Sequence, residues 1–195
     1  MKKINNKYFV LRHGESKANV LEIILSHLKD GMMEEFTLSE KGEQQVRDSV
    51  KKEKNNGELD EKTIIYSSPF SRTKKTAEIA REVLGVKEEI TFDNRLRERW
   101  FGELDKTHNS NYHKIWSKDG DNPNHKDFGS ESAMEVGERI VSLFEDLEEK
   151  YKNRNILLVS HADILLILQA YINGNSPATH RSLEYLLNAE IRKLN

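Results

Sequence analysis

The sequence has no cysteine, little proline and no long hydrophobic run. Without cysteine, disulfides, thiolate nucleophiles and cysteine metal sites are excluded, so any chemistry must use His, Asp, Glu or Ser. The longest uninterrupted aliphatic run, Ile164 to Leu168, is far too short to cross a bilayer, and no apolar signal segment follows the first charged residues. We therefore expect a cytoplasmic protein with no membrane partner.

An excess of one charge sign is also missing. The chain of 195 residues has 31 Lys and Arg against 33 Asp and Glu, which gives a formal net charge of −2. A protein that binds nucleic acid through bulk positive charge would be more basic, so we expect no nucleic-acid partner. Apolar residues lie in clear blocks without a Pro/Gly-rich linker, which favours one domain over residues 1–195. The oligomeric state is left open.

Short apolar segments that alternate with helical patterns predict the fold class. Three segments lack the alternation of a half-exposed strand and are typical of strands covered on both faces, namely 8–11, 64–66 and 156–159. Helical patterns follow or lie between them, starting near Thr37, Ser71 and Ser132 and after His161. The alternation predicts an α/β fold, specifically a three-layer α/β/α sandwich with a mostly parallel central sheet.

Local signals place several ends of these elements. Thr37 with Glu40, and Ser132 with Glu135, have the spacing of capping boxes at helix starts. Gly85 stands where a glycine commonly ends a helix. The terminal residues 189–194 are interpreted as an edge strand.

Two stretches do not fit this scaffold. Residues 20–36 combine an apolar patch with Gly31-Met32-Met33, and residues 102–131 are rich in Asp, Asn, His, Lys and Gly. Long insertions in compact domains are usually lids or substrate loops. We expect both insertions to lie over the active site.

Polar side chains follow each of the three predicted strands, in the segments 12–16, 67–72 and 160–161. Ligands of open α/β sheets bind beyond the carboxyl ends of the strands, so these segments are expected to meet in one crevice. Two arginines and two histidines gathered there would suit a phosphoryl group better than a carboxylate or a neutral ligand.

The same segments carry a specific resemblance. Leu11 to Ser16 resembles the RHG signature of the histidine phosphatase superfamily, the phosphoglycerate mutase-like enzymes. The other family motifs follow in order: Asn19 at the family's interval, 38–45 (LTxxGxxQ), 67–77 (SSPxxRxxxTA), 96–102 (LxExxxG), 129–132 (GES) and 159–161 (VSHG). The resemblance spans residues 7–192, and several motifs in the expected order are far more specific than a lone RHG.

The resemblance implies the chemistry and the roles of individual residues. His13 would attack phosphorus as a neutral imidazole and form phosphohistidine, with its other ring nitrogen bonded to an acceptor such as a backbone carbonyl. Glu98 would protonate the leaving oxygen and then accept a proton from the attacking water, which requires a raised pKa. The partner would be a small phosphorylated molecule.

The remaining site residues would bind the transferred group. Arg12, Arg72 and His161 would hold its equatorial oxygens, and Asn19 would add a neutral donor. Ser16 either donates to phosphate or supports the loop after His13. No metal and no other cofactor is expected on this account.

Three functions stay open within this resemblance. Hydrolysis of a phosphomonoester is favoured, because the segment between Glu98 and His161 is shorter than expected for a mutase. Phosphoglycerate mutase-type transfer is the alternative, in which Arg99 could bind a substrate carboxylate or a second phosphate. A regulatory protein that binds phosphate without turnover is disfavoured, because the nucleophile, arginines and acid are all present. Ala162-Asp163 departs from the family's glycine and leaves specificity open.

Overall fold

The centre of the protein is a five-stranded sheet. The computed structural model describes residues 4–195. The strands in chain order are β1 Lys7–Arg12, β2 Ile64–Ser67, β3 Thr91–Phe92, β4 Asn155–Ser160 and β5 Ile191–Lys193. Their spatial order is β3-β2-β4-β1-β5, in which β5 runs antiparallel to β1 and the other neighbours are parallel. The three strands expected from the sequence are confirmed as β1, β2 and β4.

Helices cover both faces of the sheet. They are α1 Lys17–Val20, α2 Leu28–Gly31, α3 Glu40–Asn55, α4 Ser71–Leu84, α5 His113–Asp119, α6 Ala133–Lys150 and α7 Ala162–Ile172. Tyr8 and Val10 of β1 pack in the hydrophobic cluster formed with α6 and α7, whereas Phe9 and Leu11 pack in the cluster formed with α3 and α4. This alternation follows the two-residue period of a strand and confirms the three-layer sandwich. Within residues 4–195, no helix is long and apolar enough to span a bilayer.

Two of the predicted helix ends are confirmed and one is wrong. Ser132 and Glu135 form the expected capping box at the start of α6, and Gly85 follows α4 with φ at +80°. The predicted start of α3 at Thr37 was wrong. The N-cap is Ser39, whose Oγ accepts from Gly42 N at 3.0 Å. The chain stays extended up to Ser39, whose backbone N–H bonds to the loop after β1, so the helix cannot begin earlier.

The edges of the sheet were only partly predicted. The C-terminal edge strand is present as β5, paired with residues 9–11 of β1. The two-residue strand β3 at the opposite edge has no signal in the sequence, since Thr91 and Phe92 are both exposed. Its formation depends on pairing with the adjacent strand β2 rather than on apolar periodicity.

The two insertions pack against each other. The first contains α2 and a 3₁₀ turn at Glu34–Phe36, and the second contains α5 and three further 3₁₀ turns. Ile24 exchanges backbone hydrogen bonds with residues 106 and 107 at 2.7 and 2.9 Å. It also joins Phe101, Leu104 and Ile115 in a third hydrophobic cluster. Both insertions contain ordered secondary structure, and their opening as a lid stays a prediction.

Candidate active site

The register of the parallel strands brings the two histidines together. Arg12 of β1 is opposite Ser160 of β4, so the residues that follow, His13 and His161, leave neighbouring strands side by side. Their ring centroids are 5.4 Å apart. Ser68, directly after β2, bonds to β4 through its backbone N–H at 3.0 Å. All three polar segments therefore meet at the carboxyl ends of the strands, as expected.

His13 is held in the tautomer that a nucleophile needs. Its Nδ1 is 2.8 Å from Gly14 O, and because a carbonyl only accepts, Nδ1 carries the proton. Nε2 keeps its lone pair, to which Arg72 Nε donates at 3.2 Å. Burial, followed by the charges of Arg72 and Arg12, lowers the pKa of His13 well below its ordinary value. The ring is therefore neutral near pH 7.

Arg72 is a buried cation without a bonded carboxylate. It lies in the first turn of α4 and is 4% exposed. Its Nη2 donates to Leu25 O and to His161 Nδ1, both at 3.0 Å, while Nη1 is buried without a partner. The Glu98 carboxylate is 3.6 Å away. A cation near a helix N-terminus is unfavourable in itself, and an anion bound beside it would supply the missing partner.

His161 lies behind Arg72. Because a guanidinium only donates, Nδ1 of His161 accepts from Arg72, which leaves the proton on Nε2. That Nε2 donates to Ser68 Oγ at 3.0 Å. The ring is fully buried and does not line the pocket. In this arrangement His161 orients Arg72 rather than contacting the pocket directly.

Glu98 lies close to both Arg72 and His161. Its Oε2 is 3.4 Å from His161 Nδ1 and 3.6 Å from Arg72 Nη2, and its Oε1 accepts from Arg99 N at 2.9 Å. Burial raises the pKa of Glu98 to about 7, against the opposing charge of Arg72 and with a further contribution from Asp163. Such a carboxyl group exchanges a proton near neutral pH.

Three further predicted residues line the pocket. Arg12 donates through Nη1 to Leu186 O at 2.7 Å, and its Nε is buried without a partner. Asn19 Oδ1 accepts from Ser16 N and Oγ, both at 3.0 Å, which leaves the amide Nδ2 for the pocket. The Ser16 hydroxyl also caps α1, so its hydrogen bonds lie within the loop that follows His13.

The pocket above His13 has a volume of about 440 Å³. Both insertions contribute to its wall. Besides the residues already described, it is lined by Ala18, Ile23, Leu25, Phe101, Asn109, Tyr112, Trp116, Ala162, Asp163 and Tyr185. Tyr112 and Trp116 stack with ring centroids 4.5 Å apart and planes 3° from parallel. The pocket thus has two arginines, Arg12 and Arg72, beside the neutral His13. Aromatic and aliphatic side chains, together with Asn109 and Asp163, line the rest of it.

Arg99 does not reach this pocket. Its side chain is fully buried, and Nη1 and Nη2 donate to the two carboxylate oxygens of Asp119 at 2.7 and 2.8 Å. Nη1 is also 3.6 Å from Asp163. These contacts disfavour the expected role of Arg99 in binding a substrate carboxylate or a second phosphate, because its donors already face buried carboxylates.

Arg99 belongs to a group of four charged residues that we call the paired-ion cluster: Arg99, Asp119, Asp163 and Arg181. Arg181 bonds to Asp163, and Trp116 Nε1 donates to the same carboxylate at 3.1 Å. Although burial alone would raise it, the charges of Arg181 and Arg99 hold the pKa of Asp163 well below its ordinary value. Within residues 4–195, no group of His, Asp and Glu has the arrangement of a metal site.

Sequence reasoning missed four residues around the site. Ser68 is given no role of its own by the sequence, but its Oγ accepts from His161 Nε2 at 3.0 Å. Tyr112, Trp116 and Tyr185 line the pocket although they belong to none of the motifs. The aromatic pair at 112 and 116 has helical i,i+4 spacing inside a polar insertion, and this signal could have identified it.

Comparisons with known proteins identify the family of this chain. The family model of the histidine phosphatase superfamily (branch 1) matches residues 8–195. The chain is 31% identical over 196 residues to a probable phosphoglycerate mutase, GpmB, of Salmonella paratyphi C, covering 95% of this chain and 83% of that protein. GpmB of Escherichia coli K12 is 30% identical over the same coverage.

Solved structures share the fold at lower identity. A mycobacterial glucosyl-3-phosphoglycerate phosphatase in complex with VO3 has a TM-score of 0.78 and 22% identity, covering 96% of this chain and 90% of that one. A phosphoserine phosphatase variant from Entamoeba histolytica, in complex with phosphoserine, has a TM-score of 0.74 and 23% identity, covering 96% and 89%.

Proposed function

Because the chain belongs to the histidine phosphatase superfamily, we propose that it hydrolyses a small phosphomonoester through a phosphohistidine intermediate. One observation carries this proposal. A neutral histidine, whose Nε2 lone pair accepts from Arg72 Nε, borders a pocket that Arg12 and Arg72 also line, and each arginine keeps one buried nitrogen without a partner. A phosphoryl group is the ligand that would satisfy all three features at once.

In the first step, His13 Nε2 attacks phosphorus and the bond from phosphorus to the ester oxygen breaks. The hydrogen bond from Nδ1 to Gly14 O keeps the attacking tautomer and stabilises the positive charge that develops on the ring. Arg72 Nε, which bonds to this lone pair in the unliganded protein, turns to a phosphoryl oxygen when substrate binds.

Arg12 and Arg72 bind the phosphoryl oxygens as charge builds up on them. Arg12 Nε and Arg72 Nη1 are the donors without partners, and Asn19 Nδ2 adds a neutral donor. Donors that are fixed in a dry site stabilise a transition state far better than mobile water does. The two guanidinium groups supply the positive charge, so the proposal includes no metal ion.

His161 contributes by holding Arg72. Its Nδ1 accepts from Arg72 Nη2 while its Nε2 donates to Ser68 Oγ, so the buried ring positions the guanidinium that binds the phosphoryl oxygens. The direct contact between His161 and the phosphoryl group that the resemblance implies stays a prediction.

Glu98 handles the proton in both steps. Protonated Glu98 donates to the leaving oxygen, and the resulting carboxylate then takes a proton from the water that attacks phosphohistidine. A pKa of about 7 supports both roles, because each protonation state is well populated near neutral pH.

Mutase-type phosphoryl transfer is the second candidate, favoured by the similarity to probable phosphoglycerate mutases. Against it, Arg99 is engaged by Asp119 and cannot bind the carboxylate of a phosphoglycerate. Binding of phosphate without turnover is disfavoured, because the nucleophile, both arginines and the acid are all retained.

The nucleophile is tested with His13→Ala and p-nitrophenyl phosphate. We expect the variant to lose turnover and to lose the acid-labile phosphate label that the wild type acquires, because the proposed phosphoenzyme forms on the His13 ring. Circular dichroism checks that the fold is kept. Full activity in the variant would rule out His13 as the nucleophile, and phosphate affinity without any turnover in the wild type would identify a binding protein.

A further inference from the structure

The part of the pocket beyond His13, which we call the outer wall, is lined by aromatic and apolar side chains together with Asn109 and Asp163. Tyr112, Trp116, Tyr185, Phe101 and Ile23 belong to its aromatic and apolar portion. Tyr185 is 40% exposed, so the wall extends to the protein surface. A phosphomonoester that places its phosphoryl group on His13 has to place its leaving group against these side chains, because Arg12 and Arg72 hold the inner end.

The outer wall offers no free cation. Among the described residues that line the pocket, Arg12 and Arg72 carry the positive charge, and both act on His13 closely enough to lower its pKa. They are the phosphoryl ligands of the proposed function. A second anionic group on the substrate would therefore have to find its partner elsewhere.

The nearest other arginines are already paired with carboxylates. Asp119 holds Arg99 through two hydrogen bonds, and Asp163 bonds to Arg181, whose guanidinium lies over the Trp116 ring at 4.1 Å. The member of the paired-ion cluster that lines the pocket is Asp163, a carboxylate. An anionic leaving group would meet this carboxylate and would have to compete with it for Arg181, which weakens binding.

We propose that the enzyme selects phosphomonoesters whose leaving group is uncharged and partly apolar, and that Asp163 excludes leaving groups bearing a carboxylate. The inference rests on the proposed phosphatase function and specifies the substrate class of the same site. Asp163 acts here as a specificity-determining residue. The aromatic wall accepts the apolar surface, and the carboxylate at its inner edge rejects a second anion.

A matched pair of esters tests the selection. 4-Ethylphenyl phosphate and 4-(carboxymethyl)phenyl phosphate have similar leaving groups and differ in one remote carboxylate. We expect the wild type to prefer the uncharged ester by at least about tenfold in kcat/KM, mostly through KM, because the repulsion acts on binding. Nearly equal values, or a preference for the carboxylate, would overturn the proposal.

Asp163→Asn tests the residue. The amide oxygen can accept from either Arg181 or Trp116 but not from both, because the amide NH2 only donates, and the cluster then carries one uncompensated positive charge. We expect the preference to fall below about threefold because the KM of the carboxylate ester decreases. Asp146→Asn removes the same charge from exposed α6, outside the pocket, and should keep the wild-type preference. An unchanged preference in folded Asp163→Asn would contradict the role given to this residue.

Binding of the corresponding benzylphosphonates separates this inference from the proposed function. These compounds keep the remote groups but cannot be hydrolysed, so calorimetry measures the preference without turnover. Lack of hydrolysis together with a clear preference for the uncharged phosphonate would reject the phosphatase function and keep the selectivity. Turnover of both esters together with equal phosphonate affinities would reject the selectivity and keep the phosphatase function.

Discussion

Arg72 and Arg99 are both buried arginines close to Glu98, yet their surroundings are opposite. Arg99 donates to both oxygens of Asp119, so its charge is matched inside the protein. Arg72 bonds to two histidines and a backbone carbonyl, has one buried nitrogen without a partner, and approaches the nearest carboxylate only to 3.6 Å. The first arrangement is complete without a ligand, whereas the second is completed by an anion.

The carboxylates of the two regions differ in the same way. Glu98 is desolvated without a bonded arginine, and burial raises its pKa to about 7. Asp163 is equally buried, but Arg181 and Arg99 hold its pKa low. The comparison teaches that unmatched buried charge marks the chemical site, while matched buried charge of the same residue types belongs to the scaffold.

The largest expected effect on activity separates the two arginines. Arg72→Met should lower kcat/KM by about 10³-fold, because it removes a preorganised cation from the transferring phosphoryl group. The free energy of unfolding should change by less than about 2 kcal/mol, since losing an unmatched charge offsets the lost bonds to His13, His161 and Leu25 O. Steady-state kinetics and urea unfolding measure both. A large loss of stability with little loss of activity would show that Arg72 belongs to the scaffold, as Arg99 does, and would contradict its role at the phosphoryl group.

Arg99→Met should show the opposite pattern. We expect the free energy of unfolding to fall by about 3–5 kcal/mol, because Asp119 is left buried and charged without its bidentate partner. The folded fraction should retain kcat/KM within about tenfold. Urea unfolding and kinetics on the folded enzyme measure the two quantities.

The matched control is the double variant Arg99→Met with Asp119→Leu. Replacing both charges by apolar groups removes the uncompensated charge, so most of the lost stability should return. If the double variant were no more stable than Arg99→Met alone, pairing with Asp119 would not explain the stability contribution of Arg99.

The smallest effect concerns Glu98 and depends on pH. Its pKa is raised from 4.5 to about 7 on folding, so the native state holds a proton that the unfolded state has lost between these values. Stability therefore falls as pH rises through this window. Glu98→Gln removes this penalty and should stabilise the protein by about 3 kcal/mol at pH 8, and by little below pH 4.5. Urea unfolding at both pH values measures the gain.

The same variant should lose activity while it gains stability. Esters with poor leaving groups need a proton in the transition state, so their hydrolysis should slow more than that of p-nitrophenyl phosphate. Equal losses on both kinds of ester would argue against the acid role. A pH-independent stability difference would contradict the raised pKa.

Much of the fold could be predicted because its signals are local. Uniformly apolar segments identify β1, β2 and β4, and the box of Ser132 with Glu135 gives the start of α6. The errors occur where hydrogen bonds to residues far away in the sequence override a local signal. Thr37 stays extended because the backbone N–H of Ser39 bonds to the loop after β1, and the two residues of β3 are too few to show a period.

The sequence by itself determined which side chains stand at the ends of the strands, because residues directly after a buried strand emerge at one edge of the sheet. This position brought Arg12, His13, Arg72 and His161 to one edge of the sheet, and the family resemblance added Glu98. The sequence could not decide that Arg99 would be captured by Asp119, 20 residues further along the chain. That pairing, the tautomers of both histidines and the raised pKa of Glu98 depend on distances and desolvation that exist only after folding.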